Sequence, residues 1–357
     1  MLTLEARATQ SAFAAWLSPL LALGLTALTG AMIFLAMGKA PGVALYIYFI
    51  EPLTSWSGLS EVAVKAGPLI LIGMGLSLGF RAGVWNIGAE GQFIAGALLG
   101  SAPAVYFFES TNPLILPCMM LLGILGGMAW AAMPALLKTR FNANEILVSL
   151  MLVYVAELLL VHLVQGPWRN PEGWGFPGTR MFPDAALLPM FVPGYRVHLG
   201  TLIAVVIPFL AWFVLTRTRL GFQVRVFGSA PLAARHAGIS SAQMVWTTLL
   251  VGGGLAGLAG VMEAASTIGQ LMPKISPGYG FTAIIVAFLG RLHPVGVLLA
   301  GTAIAVTYIG GEGAQISAGL PKAVTGLFQG IILFYLLAFD LLTRYRLTRV
   351  GARGNTA

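Results

Sequence analysis

Apolar residues fall along this chain in long blocks, interrupted by short polar stretches. The blocks cover residues 17–37, 64–80, 92–108, 114–137, 146–164, 199–216, 241–262, 279–290, 295–310 and 323–342. A helix rises about 1.5 Å per residue, so a block of roughly 20 residues matches about 30 Å of hydrocarbon. The pattern predicts an all-α polytopic membrane protein with about ten transmembrane segments. Three blocks are short: 64–80, 92–108 and 279–290. A block of about 12 residues reaches only about 18 Å, which suggests broken or re-entrant helices. Such backbone is tolerated at membrane depth only where protein or a water-filled cavity covers it. No linker, coiled coil or low-complexity tract divides residues 1–357, so a single transmembrane domain is expected. A weak echo links 78–88 (LGFRAGVWNIG) and 289–296 (LGRLHPVG) and hints at an internal repeat.

Composition supports this reading. The chain is 58% hydrophobic and 9% charged, against about 25% charged in soluble domains. A soluble fold cannot hide that much apolar surface. The net charge of +8 follows from basic residues placed between apolar blocks, as membrane orientation requires. With an even number of spans and the N-terminus inside, thirteen Lys and Arg fall on internal segments and seven on external ones. That excess predicts that the N-terminus and C-terminus are both cytoplasmic. The first block looks too long for a signal-peptide core, lacks a convincing cleavage site, and is read as a retained span.

Several segments carry polar groups. Residues 79–92 (GFRAGVWNIGAEGQ) place Arg81, Trp85, Asn86, Glu90 and Gln92 between two short apolar stretches. Either the helix path breaks there and lines a solute route, or the segment is a plain turn with Arg81 as a topology anchor. Asn142 or Asn144 can cap the next helix, with Glu145 at its positive end. Glu157 lies deep in the 146–164 block, where a carboxylate is costly. It either faces the pathway or pairs with a buried partner.

The loop 217–240 holds four arginines and no Asp or Glu, and belongs inside. Its core, 231–238 (PLAARHAG), reads as a short helix opened by Pro231 and closed by Gly238. It either docks a cytosolic partner or lies on anionic lipid. The stretch 252–260 (GGGLAGLAG) predicts close helix packing. Glu263 beyond it is an outer gate residue or an interfacial charge. The external loop 165–198, with Trp168 and Trp174, is an interfacial belt or a landing surface for an external protein.

Other chemistry has no foothold. One cysteine, Cys118, rules out an intrachain disulfide framework or a cysteine metal cluster. His162, His198, His236 and His293 are too far apart in sequence for a local metal motif. No phosphate-binding loop, nucleophile–base pair or metal-ligand set is visible, so the chain is not expected to be an enzyme or to bind a cofactor. Any ATP must be bound by another chain. An ion-gradient carrier or channel is the alternative of another class, although charged residues do not line several spans.

Four stretches resemble a known family: 82–92 (AGVWNIGAEGQ), 144–154 (NEILVSLMLVY), 227–239 (FGSAPLAARHAGI) and 279–296 (YGFTAIIVAFLGRLHPVG). They are similar to permease subunits of bacterial ABC importers for nucleosides and simple sugars, within the broader branched-chain amino acid and ribose permease group. The resemblance runs from about residue 64 to about residue 342. It departs at Val153, where many relatives carry an asparagine. The resemblance implies an inner-membrane permease for a nucleoside, purine above all, with a ribose- or galactose-type sugar as the alternative. It implies a second homologous permease, two cytosolic ATP-binding subunits and an external solute-binding protein. The ATPases would dock on 227–239, through Gly228, Pro231, Ala233, Ala234, Arg235 and Gly238. Their ATP cycle would switch the pathway between outward and inward access. Trp85, Asn86, Glu90, Gln92 and Glu157 are the expected pathway residues.

Overall fold

The structure, a computed structural model, describes residues 2–6 and 12–349. Its elements are, in order, β1 (Leu2–Ala6), α1 (Ala12–Ala36), α2 (Pro41–Phe49), α3 (Trp56–Arg81), α4 (Ala89–Tyr106), α5 (Ile115–Phe141), α6 (Glu145–Gln165), α7 (Leu199–Arg217), α8 (Arg219–Ser229), α9 (Pro231–His236), α10 (Ser241–Glu263), α11 (Tyr279–Leu289), α12 (Pro294–Ala318), α13 (Ala323–Arg344) and β2 (Tyr345–Arg349). Each apolar block of the sequence lies on a helix. Among the described residues, six helices are long and apolar enough to cross a membrane: α3, α5, α6, α7, α10 with its continuation to Ser266, and α12. The chain is a polytopic helical membrane protein. Apart from an antiparallel ribbon pairing β1 with β2, in register from Leu2↔Arg349 to Ala6↔Tyr345, the described residues are helix and loop.

One expected short span is corrected. The block 64–80 is the apolar part of the 26-residue α3. Ser55 caps that helix, its side chain accepting from the Gly58 N–H at 3.0 Å. Ser60 and Glu61 precede the apolar block and Lys65 interrupts it, but the helix runs through all three, and the fold supplies partners for the two charges. Glu61 meets Arg196 at 3.6 Å, and the Lys65 ammonium lies over the Tyr279 ring at 5.6 Å. The block 279–290 is short as expected: α11 has 11 residues, or about 16 Å.

Residues Ser55–Ala305 form one compact body. At its centre α10 packs against α3, α4 and α5. The small-residue stretch predicted for close packing does this. A Cβ at Gly257 would fall on the backbone of Gly123 and Gly127 of α5, and one at Gly96 of α4 would fall on Gly257. A Cβ at Gly75 of α3 would lie 2.8 Å from the Gly252 Cα. Backbones this close gain dispersion contacts that lipid cannot replace.

The second body holds the described parts of Met1–Thr54 and Val306–Ala357. Phe34, Tyr48 and Phe328 form its aromatic core, with Tyr48 stacked on Phe328 at 4.7 Å and Phe34 on Phe328 at 5.5 Å.

Candidate functional site

Helix α3 stops at Arg81 because Gly83 takes a left-handed turn (φ 72°), which a residue with a Cβ would resist. The chain then runs through 82–88 before α4 starts. Asn86 is buried here and fully used. Its Nδ2 donates to Gln92 Oε1 at 2.8 Å. Its Oδ1 accepts from Gln92 Nε2 and from the Gly88 N–H, both at 3.1 Å. Asn86 and Gln92 therefore spend their amides on one another across the break. Ser149 of α6 adds an acceptor for the Ile87 N–H at 3.2 Å.

Glu90, in the first turn of α4, is buried. Its Oε2 accepts from the Gly280 N–H at 2.5 Å, and Ser276 adds a side-chain hydrogen bond. Ser276 Oγ also accepts from the Gly278 and Tyr279 N–H groups, both at 3.0 Å. The carboxylate thus joins the N-termini of α4 and α11, where the helix dipoles favour negative charge. The other end of α11 lies beside Arg81, whose Nε donates to the Leu292 carbonyl at 2.8 Å. Since α11 spans about 16 Å, residues 82–88 must climb back into the bundle by a comparable distance. The α3–α4 connection returns into the bundle, with Ala82, Val84, Asn86 and Gly88 buried and Gly83 and Trp85 exposed.

Trp85 is half-exposed. Its ring lies 5.0 Å from Phe80 and 6.1 Å from Phe288, and Phe80 stacks on Phe288 at 5.3 Å. His293, next to Leu292, is held below the ordinary histidine range by burial and then by the Arg81 charge.

Helix α6 starts at Asn144, whose Oδ1 accepts from the Ile146 N–H at 2.9 Å. Asn142 instead ends α5 in the left-handed region (φ 50°). Glu145 pairs with Lys138 at 2.9 Å. The buried face of α6 carries Ser149, Val153, Ala156 and Leu160. Val153 packs against Gly91 of α4, so this departure from the resembled pattern sits in a helix contact. Glu157 is exposed, on a face with Leu147, Met151, Tyr154 and Leu158. Among the described residues, no cation and no hydrogen-bond donor pairs with it. Of the expected pathway residues, then, Asn86 and Gln92 are buried and bonded to each other, while buried Glu90 bonds separately to the N-terminus of α11. Trp85 packs on Phe80 and Phe288, and Glu157 stands exposed.

The basic loop 217–240 is more ordered than its sequence suggested. It holds two helices, α8 and α9. Helix α8 is amphipathic, burying Val224 and Phe227. Helix α9 has Pro231 in its first turn. It ends with the Ile239 N–H on the Ala234 carbonyl at 2.9 Å and the Gly238 N–H on the Arg235 carbonyl at 3.0 Å. This closure uses the positive φ of Gly238 (83°). Ala234 and Ile239 are buried, in one apolar cluster with Ala82, Val84 and Phe227. Pro231, Leu232, Ala233, Arg235 and Gly238 stay exposed. Arg235 is steadied by Ser241, at 2.7 Å from its Nε.

The Glu263 carboxylate is buried beside the Tyr279 hydroxyl at 3.3 Å. Tyr279, Ser276, Gly280 and Leu292 were not singled out from the sequence. Their roles rest on long-range contacts, the Glu90–Gly280 bond above all, and no local pattern announces them.

The family model for the branched-chain amino acid transport system permease component matches residues 58–337. The chain belongs to this family. The permease is 39% identical to a glucose ABC transporter permease of Haloferax volcanii, over 100% of this chain and 96% of that protein. It is 29% identical to a guanosine ABC transporter permease of Bacillus subtilis, over 95% and 97%. A nucleoside ABC transporter permease of Lactococcus lactis subsp. cremoris is 26% identical, over 90% of each chain. The chain is therefore an ABC importer permease of the nucleoside and sugar group, a multi-pass membrane component.

Proposed function

We propose that this permease forms one half of the pathway of an ATP-driven importer for a sugar-bearing solute, either a nucleoside or a simple sugar. The observation that carries the reading is Glu157. A carboxylate midway along a 21-residue apolar helix costs about 3 kcal/mol or more in lipid. Exposed, and unpaired among the described residues, it belongs against a water-filled route or a second chain. Carboxylate oxygens accept from sugar hydroxyls, which ribosides and free sugars share. Trp85 gives part of its ring to Phe80 and Phe288, so base stacking there is a weaker part of the account. The family resemblance favours a purine nucleoside, while the 39% identity to a glucose permease favours a monosaccharide.

A second, related permease completes the route. Two ATP-binding subunits dock on the exposed faces of α8 and α9, through Pro231, Ala233, Arg235 and Gly238, with buried Ala234 as the anchor. Gly228 lets α8 lie close to the bundle. An external solute-binding protein lands on residues 165–198. Both termini lie in the cytoplasm, and the membrane is the bacterial inner membrane. ATP is consumed by the partner subunits, and this chain needs no cofactor.

The test is uptake of radiolabelled guanosine, adenosine, ribose and glucose by cells with and without the gene, with an ATP-depletion control. ATP-dependent nucleoside uptake lost on deletion supports the nucleoside importer. Loss of sugar uptake alone moves the assignment to a sugar permease. Loss that ignores ATP favours a gradient-driven carrier and overturns the proposal.

A further inference from the structure

The charged residues that flank the α3–α4 connection, Arg81 at the end of α3 and Glu90 at the start of α4, hold helix α11 and the turn that follows it. At its C-terminal side, Arg81 Nε donates to the Leu292 carbonyl at 2.8 Å. At its N-terminus, Glu90 accepts the Gly280 N–H. Each charge matches the dipole end it meets, a cation at the carbonyl end and an anion at the N–H end. Between them, Phe288 of α11 stacks on Phe80 and Trp85. Among the described residues, Arg81 pairs with no carboxylate. The charged neighbours that act on it and His293 are themselves cationic or titrate to cations: Arg225 of α8 and His293 face Arg81. The carbonyl it grips is strained into place. Arg291 and Leu292 both sit in the left-handed region, at φ 52° and 57°, which side chains with a Cβ resist.

The same Arg81 also meets the α8–α9 platform. A Cβ at Gly228 of α8 would fall on the Arg81 carbonyl oxygen. Phe227 and Val224 of α8 and Ala234 of α9 share an apolar cluster with Leu78, Ala82 and Val84. The backbone of Arg81 therefore lies under the platform, and its side chain holds the α11–α12 turn.

Resting on the reading of α8 and α9 as the ATPase docking platform, we propose that Arg81 is the positioning residue that makes α8, the 81–90 segment and α11 move as one body. Displacement of the platform then shifts α11 and, through Glu90, the buried start of α4. Arg81 touches no solute. It converts platform motion into movement of a half-helix inside the bundle.

The experiment uses the complete complex, with both permeases, the ATPases and the binding protein, in proteoliposomes. Arg81→Ala and Arg81→Lys are compared with wild type for solute uptake and for ATP hydrolysis. Uptake per ATP is expected to fall about tenfold in R81A, the range of a coupling free energy between sites, with partial recovery in R81K and with ATPase activity and assembly retained. Equal loss of uptake and ATPase activity with disassembly, or unchanged uptake per ATP, overturns the proposal. A wild-type complex whose uptake ignores ATP instead refutes the importer reading.

A second measurement does not depend on the variants being active. Cys118→Ser removes the one native cysteine, and spin labels are placed at Ser229→Cys on α8 and Phe281→Cys on α11. Their separation is expected to stay constant between the nucleotide-free and ATP-trapped states, and to broaden in R81A. A wild-type change of about 5 Å, the size of a one-turn slip between elements, would show that α11 moves apart from the platform and would end the proposal.

Discussion

The α3–α4 connection and the middle of α6 both interrupt apolar sequence with polar groups, and the two behave in opposite ways. In the connection, Asn86, Gln92 and Glu90 are buried and bonded to one another or to the α11 N-terminus. In α6, Glu157 is exposed, and among the described residues no cation or hydrogen-bond donor pairs with it. A polar residue in a membrane block therefore has two meanings. Where the fold supplies partners, it builds a broken helix. Where the fold leaves it open, it is available to a solute or a second chain, as the proposed function requires.

Removing Glu90 tests the structural half of that contrast and should have the largest effect. Glu90→Ala strands the Gly280 N–H and the Ser276 hydroxyl, so unfolding stability should drop by about 3 kcal/mol. Thermal unfolding in detergent reads this. A drop under about 0.5 kcal/mol, the range of ordinary surface changes, would make Glu90 as free as Glu157 and erase the comparison.

The amide pair comes next. Asn86→Ala, Gln92→Ala and the double variant form a cycle whose coupling should be about 1 kcal/mol. Additive effects would mean that the two amides act independently. Asn144→Ala removes a cap that contributes locally and should cost about 1 kcal/mol, with uptake unchanged in a complex that still assembles.

His198 extends the comparison to another buried polar group. Its Nδ1 accepts the Gly200 N–H at 3.1 Å, and burial pushes its pKa down to about 4. The unfolded imidazole titrates near 6.5. The folded state therefore binds fewer protons than the unfolded state between those values. Stability is full above about pH 6.5 and is lost progressively as the pH falls toward about 4. In His198→Gln that part of the pH dependence of thermal unfolding should disappear.

Much of the architecture was legible in the sequence, because membrane-spanning helices announce themselves as apolar blocks. The glycines of 252–260 also read correctly, since small residues at helical spacing have few other uses in a membrane. The length of α3 was not legible. Glu61 and Lys65 look like an end until Arg196 and the Tyr279 ring are seen beside them. Helix α8 was hidden because its period is amphipathic and its residues are basic, so it resembled a loop. At the site, the polar groups of 82–92 were visible in sequence but their partners were not. Nothing local tells Asn86 that Gln92 is its partner, or Glu90 that Gly280 lies within reach. Leu292 was invisible as a contact, because its contribution is a backbone carbonyl.

Under the proposed function, Glu157 serves the route while Asn86, Gln92 and Glu90 serve the fold. The most direct test is Glu157→Gln in the complete complex, with solute uptake and thermal unfolding measured on the same preparation. Uptake should fall about tenfold, as for loss of a charged hydrogen-bond acceptor of about 1.5 kcal/mol, while unfolding stays within about 0.5 kcal/mol of wild type. Unchanged uptake, or a loss of stability comparable to that of Glu90→Ala, would contradict the account.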